Sequence, residues 1–303
     1  MPIRLAETLL SGCNLRLTGQ SPGWVVGGGW GRTWLAALLF LAVLFAVFVL
    51  SFPERLYGDD VFLVWCIVRE RVFTPHFLYM PLARLAARAG AHAGLDPFTT
   101  LRLMAALGTA VGGALLFLAA RRRGADARIA LVFALFVVTS PSTWFFATAA
   151  EIPGLHLGAV GLLAWTLAGL RPAASATRVL VAALAFGAAV GTHKSGVLLL
   201  PGAFAVYLFA TAGRARGERM RDLAALALGG AISLGVMAAS NLAAAGRILV
   251  TEDSPRRLFD LLRERFDPGD ALVYLGTDAI VPSFALALLG CAALGSLLRR
   301  DRR

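Results

Sequence analysis

The sequence predicts an all-α polytopic membrane protein of about eight transmembrane helices, with interfacial helices in its first outside loop. Three observations predict it. Hydrophobic residues make up 58% of the 303-residue chain, and the mean hydropathy is +0.73. They lie in unbroken runs close to the roughly 20 residues that cross a bilayer, not in the periodic stripes of a soluble fold. The basic residues behind the net charge of +11 sit in short clusters between those runs, as membrane topology requires. That clustering also argues against nucleic acid, the partner a pI near 11.0 first suggests.

The runs place spans at about 34–52, 103–120, 129–147, 152–170, 179–193, 195–212, 223–246 and 279–298. The fifth is only about 22 Å long as a helix, so it is expected to end inside the protein. The opening "MPIRLAETLLSGCNLRLTG" has no apolar core of signal-peptide type. No small-residue cleavage site follows span 34–52, so that span is expected to remain as an anchor. Cys13, Cys66 and Cys291 are far apart and lack metal-ligand spacing, which implies neither a disulfide framework nor a zinc site.

With the N-terminus in the cytoplasm, the inside segments hold 17 of the 29 basic residues and five of the 18 acidic ones. The bias repeats at every inside segment and supports both the span count and the orientation. The chain then divides into a cytoplasmic tail (1–33), a transmembrane domain (34–298) with outside loops 53–102 and 247–278, and a basic cytoplasmic tail (299–303). Nearly every unusual polar residue falls outside.

The first outside group follows span one as "LYGDD" (56–60). The stretch "DDVFLVWCIVRERVF" is too short to span and suits a helix lying in the interface. Asp59 is well placed to cap it. Adjacent helical residues point about 100° apart, so Asp60 is then free to face a cavity. Pro75 and Pro81 interrupt the chain, and "LARLAARAGAHAG" (82–94) reads as a second outside helix. Tyr57 and His76 are further cavity candidates.

The second group is "SPSTWFFATAAEIPG" (140–154). Glu151 stands where spans three and four meet, with Pro153 suited to a first helical turn. A glutamate there is favoured by the helix dipole alone, but an acid so near the apolar phase usually faces a cavity. The third group is "GTHKSG" (191–196), where His193 adjoins Lys194, the lone lysine of the chain. Lysine is a compact charge suited to phosphate; the plain alternative is a snorkelling side chain in a tight turn. His156 is expected only to hydrogen-bond a neighbouring helix, and His92 carries little.

Taken in order, "YGDD", "PHFLYMPLARLAARAG", "SPSTWFFATAAEIPGLHLGAVGLLAW" and "GTHKSGVLLLPGA" resemble the GT-C glycosyltransferases, especially the protein O-mannosyltransferase-like branch and its bacterial relatives. The resemblance covers about 50–210. It implies a polyprenyl-phosphate sugar donor, a lipid, glycan or protein acceptor, and inverting transfer on the outer face of a bacterial inner membrane. Carried onto this chain, Asp60 or Asp59 is the base and Glu151 orients acceptor or base. Lys194 and His193, with Arg69 or Arg71, hold the donor phosphate. A cation beside the base keeps it ionised and stabilises the leaving phosphate. No cofactor is required by this scheme, and a divalent metal at Asp59 and Asp60 is left open. Family members commonly continue for several more spans. Two other readings compete: a transporter or flippase of a lipid-linked anion, which calls for repeats and broken helices, and a truncated non-catalytic scaffold of the envelope.

Overall fold

Every element in the computed structural model is a helix among the described residues, which are 29–53, 58–69, 76–171, 174–211 and 213–245. The predicted span 279–298, loop 247–278, residues 1–28 of the N-terminal tail, the C-terminal tail, Tyr57 and Arg71 lie outside them, as do the side chains of Asp59, Asp60 and Lys194; residues 29–33 of the expected tail already belong to the first helix. The chain divides into two compact units, 1–36 and 37–303. The described part of the first is the opening of helix α1, Gly29–Leu50.

In the larger unit the order continues with α2 (Gly58–Val68), α3 (Tyr79–His92), α4 (Pro97–Arg122), α5 (Ala127–Val138) and α6 (Pro141–Thr148). Then come α7 (Ile152–Ala168), α8 (Ala176–Thr192), a 3-10 stretch (Lys194–Leu199), α9 (Leu200–Ala210) and α10 (Arg216–Ala245). Among the described residues, α1, α4 and α10 are long and apolar enough to cross a membrane. A fourth span is added if α5 and α6 count as one. The exposed faces fit this reading: Leu38, Val43 and Leu50 of α1 and Leu223, Leu234 and Leu242 of α10 are all exposed. In water these would form apolar patches of a size that soluble monomers rarely show.

Two predicted spans are interrupted by proline. The run 129–147 is expected to be one helix, but α5 and α6 meet at a 68° bend. Ser140 is extended (φ −59°, ψ 143°) because the residue before Pro141 is driven out of the helical region. The run 195–212 starts as the 3-10 stretch and turns α-helical only at Leu200, with Pro201 in the first turn of α9. The runs 152–170 and 179–193 form helices of 17 residues each. Pro153 occupies the first turn of α7, as its position predicts.

The turns before α4 and α5 are built alike. Gly94 (φ 74°) and Gly124 (φ 88°) take the left-handed conformation that ends a helix. Leu95 N–H then bonds Gly90 O at 2.9 Å, and Ala125 N–H bonds Ala120 O at 3.1 Å. Two residues past each glycine an aspartate caps the next helix: Asp96 accepts from Thr99 N–H, and Asp126 from Arg128 N–H.

The centre of the unit is the parallel pair α4 and α7. A methyl group at Gly108 would lie 2.6 Å from Leu155 Cα. At Gly112 it would lie 2.6 Å from the Leu157 carbonyl oxygen, and at Gly158 it would lie 2.9 Å from the Gly108 carbonyl oxygen. The two backbones therefore touch, which is how small residues four apart join helices where no hydrophobic drive exists between them. Around this pair, Phe48 of α1 and Val138 of α5 are fully buried on one side. Leu63, Cys66 and Ile67 of α2 pack with Tyr79 and Met80 of α3 on another.

At the end of the unit where α9 gives way to α10, Arg214 and Asp222 form a buried ion pair. Tyr207 Oη donates to the same carboxylate at 3.2 Å, and Arg214 also donates to the carbonyls of Arg171 and Ala174. Buried charges of this kind must be paired and bonded to be tolerated.

Candidate functional site

The backbone first brings residues 76–78 against the end of α8. Leu78 N–H donates to Gly191 O at 2.9 Å. A methyl at Gly191 would lie 2.7 Å from Leu78 and 2.8 Å from the Phe77 ring, so glycine permits this approach. Ser240 Oγ of α10 donates to Phe77 O at 2.8 Å and holds the same segment from its other side.

This approach lines up three histidines. The rings of His76 and His193 stack, with centroids 4.9 Å apart and planes 27° apart. His156 of α7 adjoins His193 at 5.4 Å and 48°. His76 is 4% exposed. His156 Nδ1 lies 3.1 Å from Thr192 Oγ1. The Thr192 hydroxyl spends its one proton on the Ala188 and Ala189 carbonyls, each at 3.0 Å. With that proton on the carbonyls, the neutral tautomer that fits is the one that donates from Nδ1 and keeps Nε2 as an acceptor. Three imidazoles in a row cannot all be charged without mutual repulsion, and an anion beside them would relieve it.

An apolar cavity of about 410 Å³ begins at Phe77, the residue after His76. It is lined by Leu163 and Leu167 of α7, Phe186 and Val190 of α8, Phe204 of α9 and Met237 of α10, among others. Its far end reaches Tyr207, a member of the buried Arg214–Asp222 network.

The acids are set from a neighbouring direction. Both Asp59 and Asp60 fall in the first turn of α2, which begins at Gly58, one residue before the expected cap. Leu63, Val64 and Ile67 of that helix belong to the same buried cluster as Ala150 and Ile152, the residues on either side of Glu151. Glu151 is partly buried at the extended turn that starts α7 (φ −115°, ψ 157°). Thus α2, the residues flanking Glu151 and the 79–80 start of α3 share one cluster, and His76, just before α3, is one member of the histidine row. Arg69 is exposed just beyond α2, where its N–H bonds Trp65 O at 2.9 Å. His92 ends α3 and is exposed.

His156 bonds a neighbouring helix, as expected of it; its place beside His193 is what sequence reasoning missed. Residues 76, 156 and 193 belong to three separate segments, and no spacing links them. The GxxxG pairs Gly108/Gly112 and Gly154/Gly158, which join α4 to α7, were legible signals. Among the described residues, no three His, Cys, Asp or Glu side chains converge as a metal centre would. No protein-family model, no curated protein and no solved structure matches the chain, so the site is defined by its own residues alone.

Proposed function

We propose that this chain is a membrane glycosyltransferase of GT-C type with about eight spans. It moves a sugar from a polyprenyl-phosphate donor to an acceptor hydroxyl on the outer face of a bacterial inner membrane. The observation that carries this reading is the apolar cavity that begins at Phe77, beside the stack of His76 on His193. A lipid-linked phosphate needs both parts: an apolar space for its chain and donors for its headgroup. In this reading the chain enters along α8 and α10, and the phosphate meets His193 and Lys194. Asp60 takes the proton of the acceptor hydroxyl, Glu151 orients the acceptor, and the sugar passes to the acceptor with inversion as the lipid phosphate leaves. Asp59, Arg69 and Arg71 serve the same pocket in supporting roles.

The test is turnover of lipid-linked sugar in membranes. A general base contributes about 10²–10⁴-fold, so Asp60→Asn is expected to lose at least about 10² of the rate. Lys194→Ala is expected to weaken donor binding. Full activity in Asp59→Asn, Asp60→Asn and Lys194→Ala together, against an active wild type, overturns the site. The 68° bend between α5 and α6 favours the transporter reading, since transporters use broken helices. Movement of a lipid-linked sugar across proteoliposomes without transfer would select that reading instead.

A further inference from the structure

At the far end of α7 from His156, arginines gather from three segments. Arg122 and Arg123 close α4, Arg171 follows α7, and Arg178 lies in the first turn of α8. Arg122 Nη1 donates to Trp165 O at 3.1 Å, and its guanidinium lies 4.7 Å over the Trp165 ring. Arg123 Nη2 donates to Leu167 O at 2.9 Å. Burial first, then the charges of Arg178 and Arg123, lower the Arg171 guanidinium from its usual value, so these cations feel one another.

A groove of about 530 Å³ runs from this cluster between α4, α7 and α9. Its lining includes Ala120, Leu163, Leu167 and Val206, with Arg123 as its one charged residue. Arginines that cap carbonyls at helix ends account for the bonds of Arg122 and Arg123. They do not account for an apolar groove that reaches Arg123.

We propose that the groove holds an acyl chain of an anionic phospholipid whose phosphate sits against Arg123 and Arg171. Charge complementarity selects this occupant. Like charges held together favour an anion, the guanidinium fork matches phosphate oxygens, and the lining accepts only hydrocarbon. The charge bias of the sequence puts this end in the cytoplasm, where basic pockets between helices meet anionic headgroups. The groove shares Leu163, Leu167 and Ala203 with the wall of the donor cavity, but its charged end at Arg123 lies at the opposite end of α7 from His156, and the proposal does not depend on glycosyl transfer.

The full-length chain in detergent, titrated by native mass spectrometry, tests it. Phosphatidylglycerol is expected to bind more tightly than phosphatidylcholine. Arg123→Gln and Arg171→Gln should each weaken that preference about fivefold, the worth of one basic residue near an anionic surface. Arg216→Gln, an exposed arginine at the start of α10, should leave it unchanged. Gly202 lines the groove and a methyl there meets nothing within 4 Å. Gly202→Leu should therefore weaken lipid binding without disturbing the fold, and it keeps the test open if an arginine variant fails to fold. Equal binding of the two lipids, or wild-type binding by Arg123→Gln, Arg171→Gln and Gly202→Leu, overturns the proposal. So does loss of the lipid adduct to inorganic phosphate alone, which would make this a free-anion site.

Discussion

The imidazoles of His76 and His193, 117 positions apart in the chain, stack with their centroids 4.9 Å apart. The contact depends on Gly191, where any side chain would meet Leu78 and Phe77. If the row receives the donor phosphate, His193→Ala removes a hydrogen bond to a charged group, worth about 1.5–3 kcal/mol. Donor affinity should then fall about tenfold or more. Gly191→Val should reproduce the loss by prising the two segments apart, with both histidines still present. Donor KM against kcat in the turnover assay separates this from a defect in the chemical step.

The α4–α7 contact predicts a stability effect that has nothing to do with activity. Gly112→Leu inserts a side chain where even a methyl lies 2.6 Å from the Leu157 carbonyl oxygen. Overpacking of this kind costs about 1–3 kcal/mol, and backbone shift at the central pair should bring it to the upper end. Gly230→Leu on α10, where nothing lies within 4 Å, is the control expected to be near neutral. Thermal unfolding in micelles measures both.

The Arg214–Asp222 pair predicts a non-additive series. Arg214→Met leaves Asp222, 1% exposed, as a buried charge without its guanidinium. Breaking one side of such a pair costs about 3–5 kcal/mol. The double variant Arg214→Met/Asp222→Leu removes both charges and should recover much of the loss. A double-mutant cycle on unfolding midpoints reads the coupling directly.

Asp96 predicts a pH effect. The Thr99 hydroxyl, at 2.5 Å, and then the Thr99 N–H hold its carboxyl below the ordinary value of 3.8. Its folded-state pKa is depressed, so its contribution is present above 3.8 and is lost as pH falls through the folded value. Asp96→Ala should cost about 1 kcal/mol near neutral pH, the usual worth of an N-cap. The gap between wild type and variant should close on acidification below 3.8.

How much of this was legible follows from what each signal depends on. The apolar runs at 34–52, 103–120 and 223–246 became α1, α4 and α10 because span length depends on composition alone. The Pro153 turn was read from local chemistry; the caps at Asp96 and Asp126 obey an equally local rule but were not singled out. The bend inside the run 129–147 was not legible, because hydropathy does not register that Pro141 breaks a helix inside an apolar stretch. Asp59 illustrates the softness of helix starts: α2 opens at Gly58, two residues earlier than a cap at Asp59 would set it.

The sequence by itself determined the helical character of the described residues, their long apolar helices, the helix-ending glycines and the caps that follow them. These are properties of windows of a few to some twenty residues. The tertiary structure alone decided that His76, His156 and His193 form one row, that α4 and α7 touch backbone to backbone, and that Arg123, Arg171 and Arg178 share one end. The reason is physical: such meetings are set by how helices pack, and packing joins residues whose separation along the chain carries no periodic signature.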